Sequence, residues 1–196
     1  METKIDQMKS SEKEKLDQLI LFFAIEHTKN SHRLLHMTML LKFIDLFELT
    51  LLEDYGTPPI GFSYTAHPQG PVPEDLYGKI KTEKYTSNLF KVIKPNRSVS
   101  KGVVIQPLAK EYNLDYFSDI EIDKMYELID KFSTNYQNNK AIIAATHKLK
   151  AWRSAWFNRR KQGQNKVPMN LRDMFDDKDN KYTLDNYEAY LTLKKY

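Results

Sequence analysis

The chain contains no cysteine and only six glycines among its 196 residues. The absence of cysteine excludes disulfide bonds, thiolate zinc sites and a cysteine nucleophile, and it is compatible with a reducing compartment. The glycines lie too far apart to form the known phosphate-binding loops. No apolar run approaches the ~20 residues that span a bilayer, and the N-terminus lacks the apolar segment of a signal peptide. These absences predict a cytoplasmic protein that contacts no membrane.

Acidic residues are absent from one long segment, residues 131–172, which holds ten of the 30 Lys and Arg residues. The rest of the chain is net acidic, because it contains the remaining 20 basic residues and all 26 acidic ones. A basic segment in an otherwise acidic chain favours an anionic partner. Nucleic acid is therefore one candidate partner for this segment.

The residues that are present describe a globular domain with an aromatic core. Hydrophobic residues make up 41% of the chain, and they include 12 tyrosines and 10 phenylalanines. This content is enough for a buried core, and the length fits one domain, or one domain with a short appendage. We predict a flexible lead-in over residues 1–11, a domain over 12–157 and a C-terminal extension over 158–196.

Hydrophobic periodicity predicts a predominantly helical α+β fold. The spacing of apolar residues indicates helices over about 12–28, 32–54, 74–81, 119–137 and 140–157, with weaker helical signals near 171–175 and 184–193. The second helix is apolar around most of its circumference, which is typical of a buried central helix. Gly56 is predicted to end it as a C-terminal cap. Residues 89–94 and 102–107 predict a small antiparallel sheet.

A rigid turn lies between these regions, in residues 64–73, which contain three prolines and one glycine. Proline fixes φ and glycine permits positive φ, so the Gly-Pro-Val-Pro sequence has few conformations open to it. Pro73 and the acidic residues after it predict the start of a helix. Gly70 and Pro73 are therefore predicted to be structural, and the turn would present Tyr64, His67 and Gln69.

Two patterns could bind a metal, and both are incomplete. His32 and His36 have the i, i+4 spacing of helical ligands, but no third ligand has a fixed position, so an exposed pair at a helix start is favoured. The segment from Asp177 to Glu188 has some ligand positions of a calcium loop but lacks the glycine that the turn requires. No metal and no cofactor is predicted.

Charged residues interrupt the apolar central helix at Lys42, Asp45 and Glu48. Buried charges must be paired. The sequence therefore favours a structural network in which Asp45 takes part, and the alternative is a polar group exposed in a groove.

The late helical region combines His147, Trp152 and Trp156 with Arg153. No serine or aspartate is placed to complete a catalytic relay with His147, so a hydrogen-bonded structural histidine is favoured. The two indoles share a helix face and fit a core, a protein interface or a nucleic-acid surface. An enzyme using His67, His147 and a carboxylate would require these side chains to meet in one pocket. Without a catalytic pattern, we predict that the chain is not an enzyme.

The order of these motifs resembles one protein family. The resemblance runs from Phe43-Ile-Asp45 through Tyr55-Gly56, Tyr64-Thr-Ala66 and Gly70-Pro-Val-Pro73 to Thr146-His147 with Ala151-Trp152. This order is similar to that of the Panacea antitoxin family, also called SocA-like or phage-associated proteins, over roughly residues 14–157. The chain departs from the family pattern at Met39, Lys42 and Ile44.

The resemblance implies a non-enzymatic protein that neutralises a cognate protein toxin by direct contact. Some relatives act as adaptors in regulated proteolysis or lie in phage-linked loci, so an adaptor role is an alternative, as is a nucleic-acid-binding regulator that uses residues 131–172. The candidate partner-binding residues are Tyr64, His67, Gln69, Pro71, Tyr77, His147, Trp152 and Arg153.

Overall fold

The computed structural model describes residues 4–95, 102–133, 138–162, 165–175 and 181–194. Within these residues the chain forms eight α-helices and two small antiparallel sheets, so the predicted helical α+β class is confirmed. The helices are α1 (Lys4–Gln7), α2 (Ser10–Ser31), α3 (Met37–Tyr55), α4 (Glu74–Lys81), α5 (Asp119–Phe132), α6 (Asn138–Thr146), α7 (Lys150–Gln162) and α8 (Lys181–Leu193). The strands are β1 (Leu35–His36), β2 (Tyr64–His67), β3 (Gly70–Pro73), β4 (Phe90–Ile93), β5 (Val104–Pro107) and β6 (Val167–Pro168).

Helix α3 is the centre of the fold. It packs against α2, α5, α6, α8 and strand β3, so almost every side of it is buried. This packing explains why its sequence is apolar around most of the circumference. The helix ends at Gly56, whose φ of 77° is left-handed and whose amide donates to the Leu52 carbonyl oxygen at 2.8 Å. The predicted glycine cap is confirmed.

Each of the two sheets has three strands, and their strands alternate along the chain. In the first, β5 pairs with β1 and β4, and Ile105 lies opposite both Leu35 and Val92. In the second, β2 pairs with β3 and β6, and Ala66 lies opposite Pro71 and Val167. The predicted β4–β5 pair is confirmed, and its connection at residues 96–101 lies outside the described residues.

The predicted start of the central helix is wrong. Residues 35 and 36 pair with β5 instead of joining the helix, and His32 ends α2 with a left-handed φ of 56°. The helix therefore begins at Met37, and His32 and His36 do not share a helix face. The helix predicted over 140–157 is two helices, because a turn at residues 147–149 separates α6 from α7.

The ends of the chain contribute to the fold in the described residues. The lead-in expected to be flexible contains α1, in which Ile5 is buried in the core and Asp6 pairs with Lys79 of α4. At the other end, Tyr187 of α8 is buried and Asn186 Nδ2 donates to the Tyr55 carbonyl oxygen at 3.3 Å. Helix α8 therefore covers the end of α3. None of the helices in the described part of the chain has the length and apolar character to span a membrane.

Gly70 and Gly78 provide a matched pair of glycine variants. Gly70 has a φ of 102°, and a Cβ added there would lie 2.4 Å from Thr146 Oγ1. Gly78 lies within α4, where an added Cβ would meet no heavy atom within 4 Å. We expect Gly70→Ala to lower the free energy of unfolding by about 1–3 kcal/mol through backbone strain and the added clash. We expect Gly78→Ala to raise it by up to about 1 kcal/mol, because alanine favours a helix.

Urea unfolding of both variants measures this difference. Equal free energies of unfolding for the two variants would contradict the assignment of Gly70 as the strained position.

Candidate functional site

Polar side chains of α3 converge on the β2–β3 hairpin, which lies on the flank of this helix. Tyr64 pairs with Pro73 and His67 pairs with Gly70, so Pro68 and Gln69 form an exposed two-residue turn. Proline lacks an amide hydrogen and is tolerated at the edge of a sheet. Strand β3 is such an edge, which explains how it can contain two prolines.

Glu48 of α3 anchors the start of this hairpin. Its Oε1 accepts hydrogen bonds from the amides of Gly61 and Phe62, the latter at 2.9 Å. Its Oε2 accepts from the Tyr64 hydroxyl at 2.6 Å. Burial raises the pKa of the Tyr64 hydroxyl well above its ordinary value, and the carboxylates of Glu48 and Asp45 raise it further. The hydroxyl therefore remains a donor to Glu48.

Lys42 anchors the other strand. Its Nζ lies 2.5 Å from Asp45 Oδ2 and also donates to the carbonyl oxygen of Pro71 in β3. Burial raises the pKa of Asp45 to about 7, although the Lys42 ammonium opposes that shift. Asp45 Oδ1 is buried with no hydrogen-bond partner among the described residues. The charges that interrupt α3 are thus paired with each other or with the hairpin, as a structural network requires.

A stack of planar side chains supports the opposite side of the hairpin. Trp152 Nε1 donates to the His67 carbonyl oxygen at 3.0 Å. The His147 ring stacks on Trp152 with centroids 4.1 Å apart, and Trp156 continues the stack at 5.6 Å. Arg159 ends it, with Cζ 3.5 Å from the Trp156 ring centroid. The indoles therefore connect α7 to the backbone of the turn.

The His147 ring is held close to the turn. Burial lowers the pKa of His147 and the charge of Lys42 lowers it further, while a hydrogen bond to the Pro68 carbonyl opposes both effects. A histidine in this setting favours its neutral form near pH 7. Its ring contacts fit the structural role that the sequence favoured.

His67 forms a small ion-pair cluster at the end of β2. Its Nε2 lies 2.8 Å from Glu74 Oε1, and Lys166 Nζ lies 3.0 Å from the same oxygen. Burial alone would raise the pKa of Glu74, but the hydrogen bonds from His67 and Lys166 outweigh it, so the pKa is lowered. Glu74 therefore stays charged and links the hairpin to the segment before β6.

A pocket of about 270 Å³ lies between the N-terminal part of α3 and the hairpin. Its floor includes the Lys42 side chain, which is only 3% exposed, and the turn forms part of its wall. The lining residues are Thr38, Leu41, Lys42, His67, Pro68, Gln69 and Val72.

The structure divides the candidate binding residues into two groups. Tyr64, Pro71 and Trp152 are buried, so their expected role as surface contacts does not fit their positions; each supports the hairpin from inside. The side chains of His67, Gln69, Tyr77, His147 and Arg153 are at least partly exposed.

The predicted structural residues lie around the same hairpin or at the end of α3. Asp45 pairs with Lys42, Gly56 caps α3, Gly70 leaves no room for a side chain beside Thr146, and Pro73 precedes α4. Sequence reasoning did not identify Thr38 and Leu41 as pocket residues. Thr38 lies four residues before Lys42 on the same helix face, and this spacing was the available signal.

The comparisons with known proteins place this arrangement in a class. A family model described as "Antitoxin SocA-like, Panacea domain" matches residues 40–153, a segment that runs from α3 through the hairpin to the start of α7. The matched domain is thus of an antitoxin type. The match covers more than half of the chain, and the chain belongs to the SocA-like Panacea family. No curated protein and no solved structure matches it.

Replacing Lys42 tests how strongly the Asp45 charge depends on its partner. The fold raises the pKa of Asp45 to about 7, so the folded state holds the proton of this carboxyl more tightly than the unfolded state does. This proton binding contributes to the free energy of unfolding at low pH, and the contribution is lost as pH rises from about 4 to about 7. Lys42→Met removes the charge that lowers this pKa, so the loss should continue above pH 7. We expect a cost of about 3–5 kcal/mol at pH 9 and a smaller cost at pH 5.

Urea unfolding of the variant and the unmodified protein at pH 5, 7 and 9 measures this slope. Lys150→Met is the control, because Lys150 pairs with Glu53 at 3.3 Å while its side chain is 40% exposed. A Lys42→Met cost that does not change with pH would contradict the assigned coupling.

Proposed function

We propose that this chain neutralises a protein toxin by direct contact, and that the hairpin turn lies within the contact surface. The observation that carries this proposal is the exposed Pro68–Gln69 turn, whose hairpin is held by three buried side chains. Lys42 binds β3, Glu48 fixes the entry to β2, and Trp152 binds the last carbonyl of β2. A preorganised surface loses little conformational entropy when a partner binds.

The groups nearest the turn favour binding over chemistry. His67 is engaged by Glu74, and the ring of His147 stacks on Trp152. The residues that line the pocket include no carboxylate that could serve as a general base or nucleophile. In the described ranges there is also no group of three or more histidine and acidic side chains that could hold a metal ion. A non-enzymatic role stays a prediction, and its support is the antitoxin-like family to which the chain belongs.

Nucleic-acid binding by residues 131–172 ranks below toxin binding. Three basic residues of this segment make ion pairs with acids from elsewhere in the chain: Lys150 with Glu53, Lys166 with Glu74 and Arg172 with Glu188. Side chains already engaged in this way contribute less to phosphate binding, the main source of affinity for nucleic acid. The adaptor alternative uses the same kind of protein contact and differs only in the fate of the bound partner.

Co-expression with the toxin-like product of a neighbouring gene tests the proposal. We expect the full chain to restore growth and to co-purify with that product. Gln69→Trp places a bulky side chain on the exposed turn, and we expect it to weaken the complex at least tenfold, about 1.4 kcal/mol, as measured by calorimetry.

Gln106→Trp is the matched control, because Gln106 is exposed on β5 of the other sheet. It should leave the affinity unchanged. A lethal toxin and no co-purified complex would refute toxin neutralisation. Equal affinities for the two tryptophan variants would remove the turn from the contact surface.

A further inference from the structure

The Lys42 ammonium has more donors than acceptors. A lysine ammonium carries three N–H groups. In the described structure its acceptors are Asp45 Oδ2 and the Pro71 carbonyl oxygen, and no third acceptor contacts it. A buried donor without a partner costs about 1–3 kcal/mol. Because Lys42 lines the pocket, an acceptor that enters the pocket can satisfy the remaining N–H group.

The start of α3 provides a second, independent positive feature at the same pocket. The first amides of a helix lack partners within the helix, and the aligned peptide dipoles give this end a partial positive charge. The amide of Met37, the first residue of α3, donates to the Val103 carbonyl oxygen at 2.9 Å, so the main contribution of this end is the partial positive charge of the helix dipole. Thr38, in the first turn, lines the pocket with Lys42. Both features favour an anionic acceptor.

The size of the pocket limits what that anion can be. The volume of the pocket is about 270 Å³. Sites for drug-sized molecules usually measure about 300–1,000 Å³. The pocket therefore suits one side chain with some water better than a larger ligand. Its walls combine apolar Leu41 and Val72 with the exposed turn residues, so it opens on the proposed contact surface.

We propose that this pocket binds an acidic side chain of the partner, with its carboxylate accepting from Lys42 Nζ and Thr38 Oγ1 and its methylene groups lying against Leu41 and Val72. The identification of the partner as a toxin rests on the proposed function. The carboxylate site itself rests on the geometry of α3 and the hairpin.

Two substitutions in the Lys42–Asp45 pair should have opposite effects on such a site. Lys42→Met removes the donor and the positive charge, so it should abolish carboxylate binding. Asp45→Asn preserves an oxygen that can accept from Lys42 while removing the negative charge that offsets it. The ammonium then attracts an incoming carboxylate more strongly. We expect Asp45→Asn to tighten binding at least threefold at pH 8, where the Asp45 carboxyl of the unmodified protein, with a pKa of about 7, is mainly ionised.

The first experiment is an NMR titration of the full chain with sodium acetate, with sodium chloride at equal ionic strength as the reference. We expect saturating shifts at the amides of residues 38–42 and of Gln69, Gly70 and Val72. These shifts should be lost in Lys42→Met and should saturate at lower acetate concentration in Asp45→Asn. Shifts that are the same in Lys42→Met and in the unmodified protein would overturn the site.

A surface variant tests the same site without altering the buried pair. Gln69→Glu places a negative charge on the pocket wall and should weaken acetate binding at least threefold. Gln106→Glu makes the same chemical change at an exposed position that does not line the pocket, and it should have no effect. Equal effects of the two variants would also overturn the proposal.

The second experiment uses the complex with the neighbouring-gene toxin. Each surface Asp or Glu of the toxin is replaced by its amide, and affinities are measured with the unmodified chain and with Gln69→Glu and Lys42→Met. We expect one acidic residue of the toxin whose replacement lowers the affinity for the unmodified chain at least tenfold. The same replacement should not lower the affinity for Lys42→Met any further. Two results would overturn an acidic side chain as the occupant. In the first, the loss of affinity from each toxin substitution adds to the loss from Lys42→Met. In the second, the effect of Lys42→Met depends on the C-terminal carboxylate of the toxin instead of a side chain.

The two experiments separate the two proposals. A normal acetate titration without any toxin complex would refute the proposed function and the toxin as occupant, but would support the carboxylate site. A stable toxin complex without acetate binding at residues 38–42 would support the proposed function and refute the site.

Discussion

The hairpin depends on charged side chains that extend from the buried central helix to the backbone of its strands. Lys42 donates to the Pro71 carbonyl and Glu48 accepts from the amides at the entry to β2. Bonds between a charged group and the backbone are stronger than neutral ones, and an unpaired buried charge is costly. The hairpin cannot move away from α3 without leaving these charges unsatisfied, so the network fixes its position.

The helices on the other side of the hairpin complete this support. The Trp152 indole binds the last carbonyl of β2, and His147 lies between that indole and the turn. Gly70 allows β3 to approach α6 closely, since any side chain there would meet Thr146. The same hairpin is thus held by α3 and by the consecutive helices α6 and α7, which are far from α3 in sequence, and it has little freedom to change shape when a partner approaches.

The sequence predicts the helical class, the central helix, the glycine cap and the β4–β5 pair, because each of these depends on local periodicity or on one residue's backbone preference. It predicts the start of α3 wrongly, since residues 35 and 36 pair with a strand about 70 residues away, and long-range pairing leaves no local signal. The charged residues in α3 could be predicted to have partners, because they interrupt an apolar helix that is expected to be buried. Their partners could not, because the carbonyl of Pro71 and the amides of residues 61 and 62 are backbone groups that every sequence contains.

The separation of the turn from its supports has a consequence for how the protein can change during evolution. Lys42, Glu48 and Trp152, which hold the hairpin, are buried, whereas Pro68 and Gln69 are exposed, and the hydrogen bond from His147 at the tip goes to the backbone carbonyl of Pro68. Substitutions at the tip can therefore accumulate at little cost in stability, while substitutions at the anchors are selected against. A scaffold of this kind allows its surface to diversify faster than its fold.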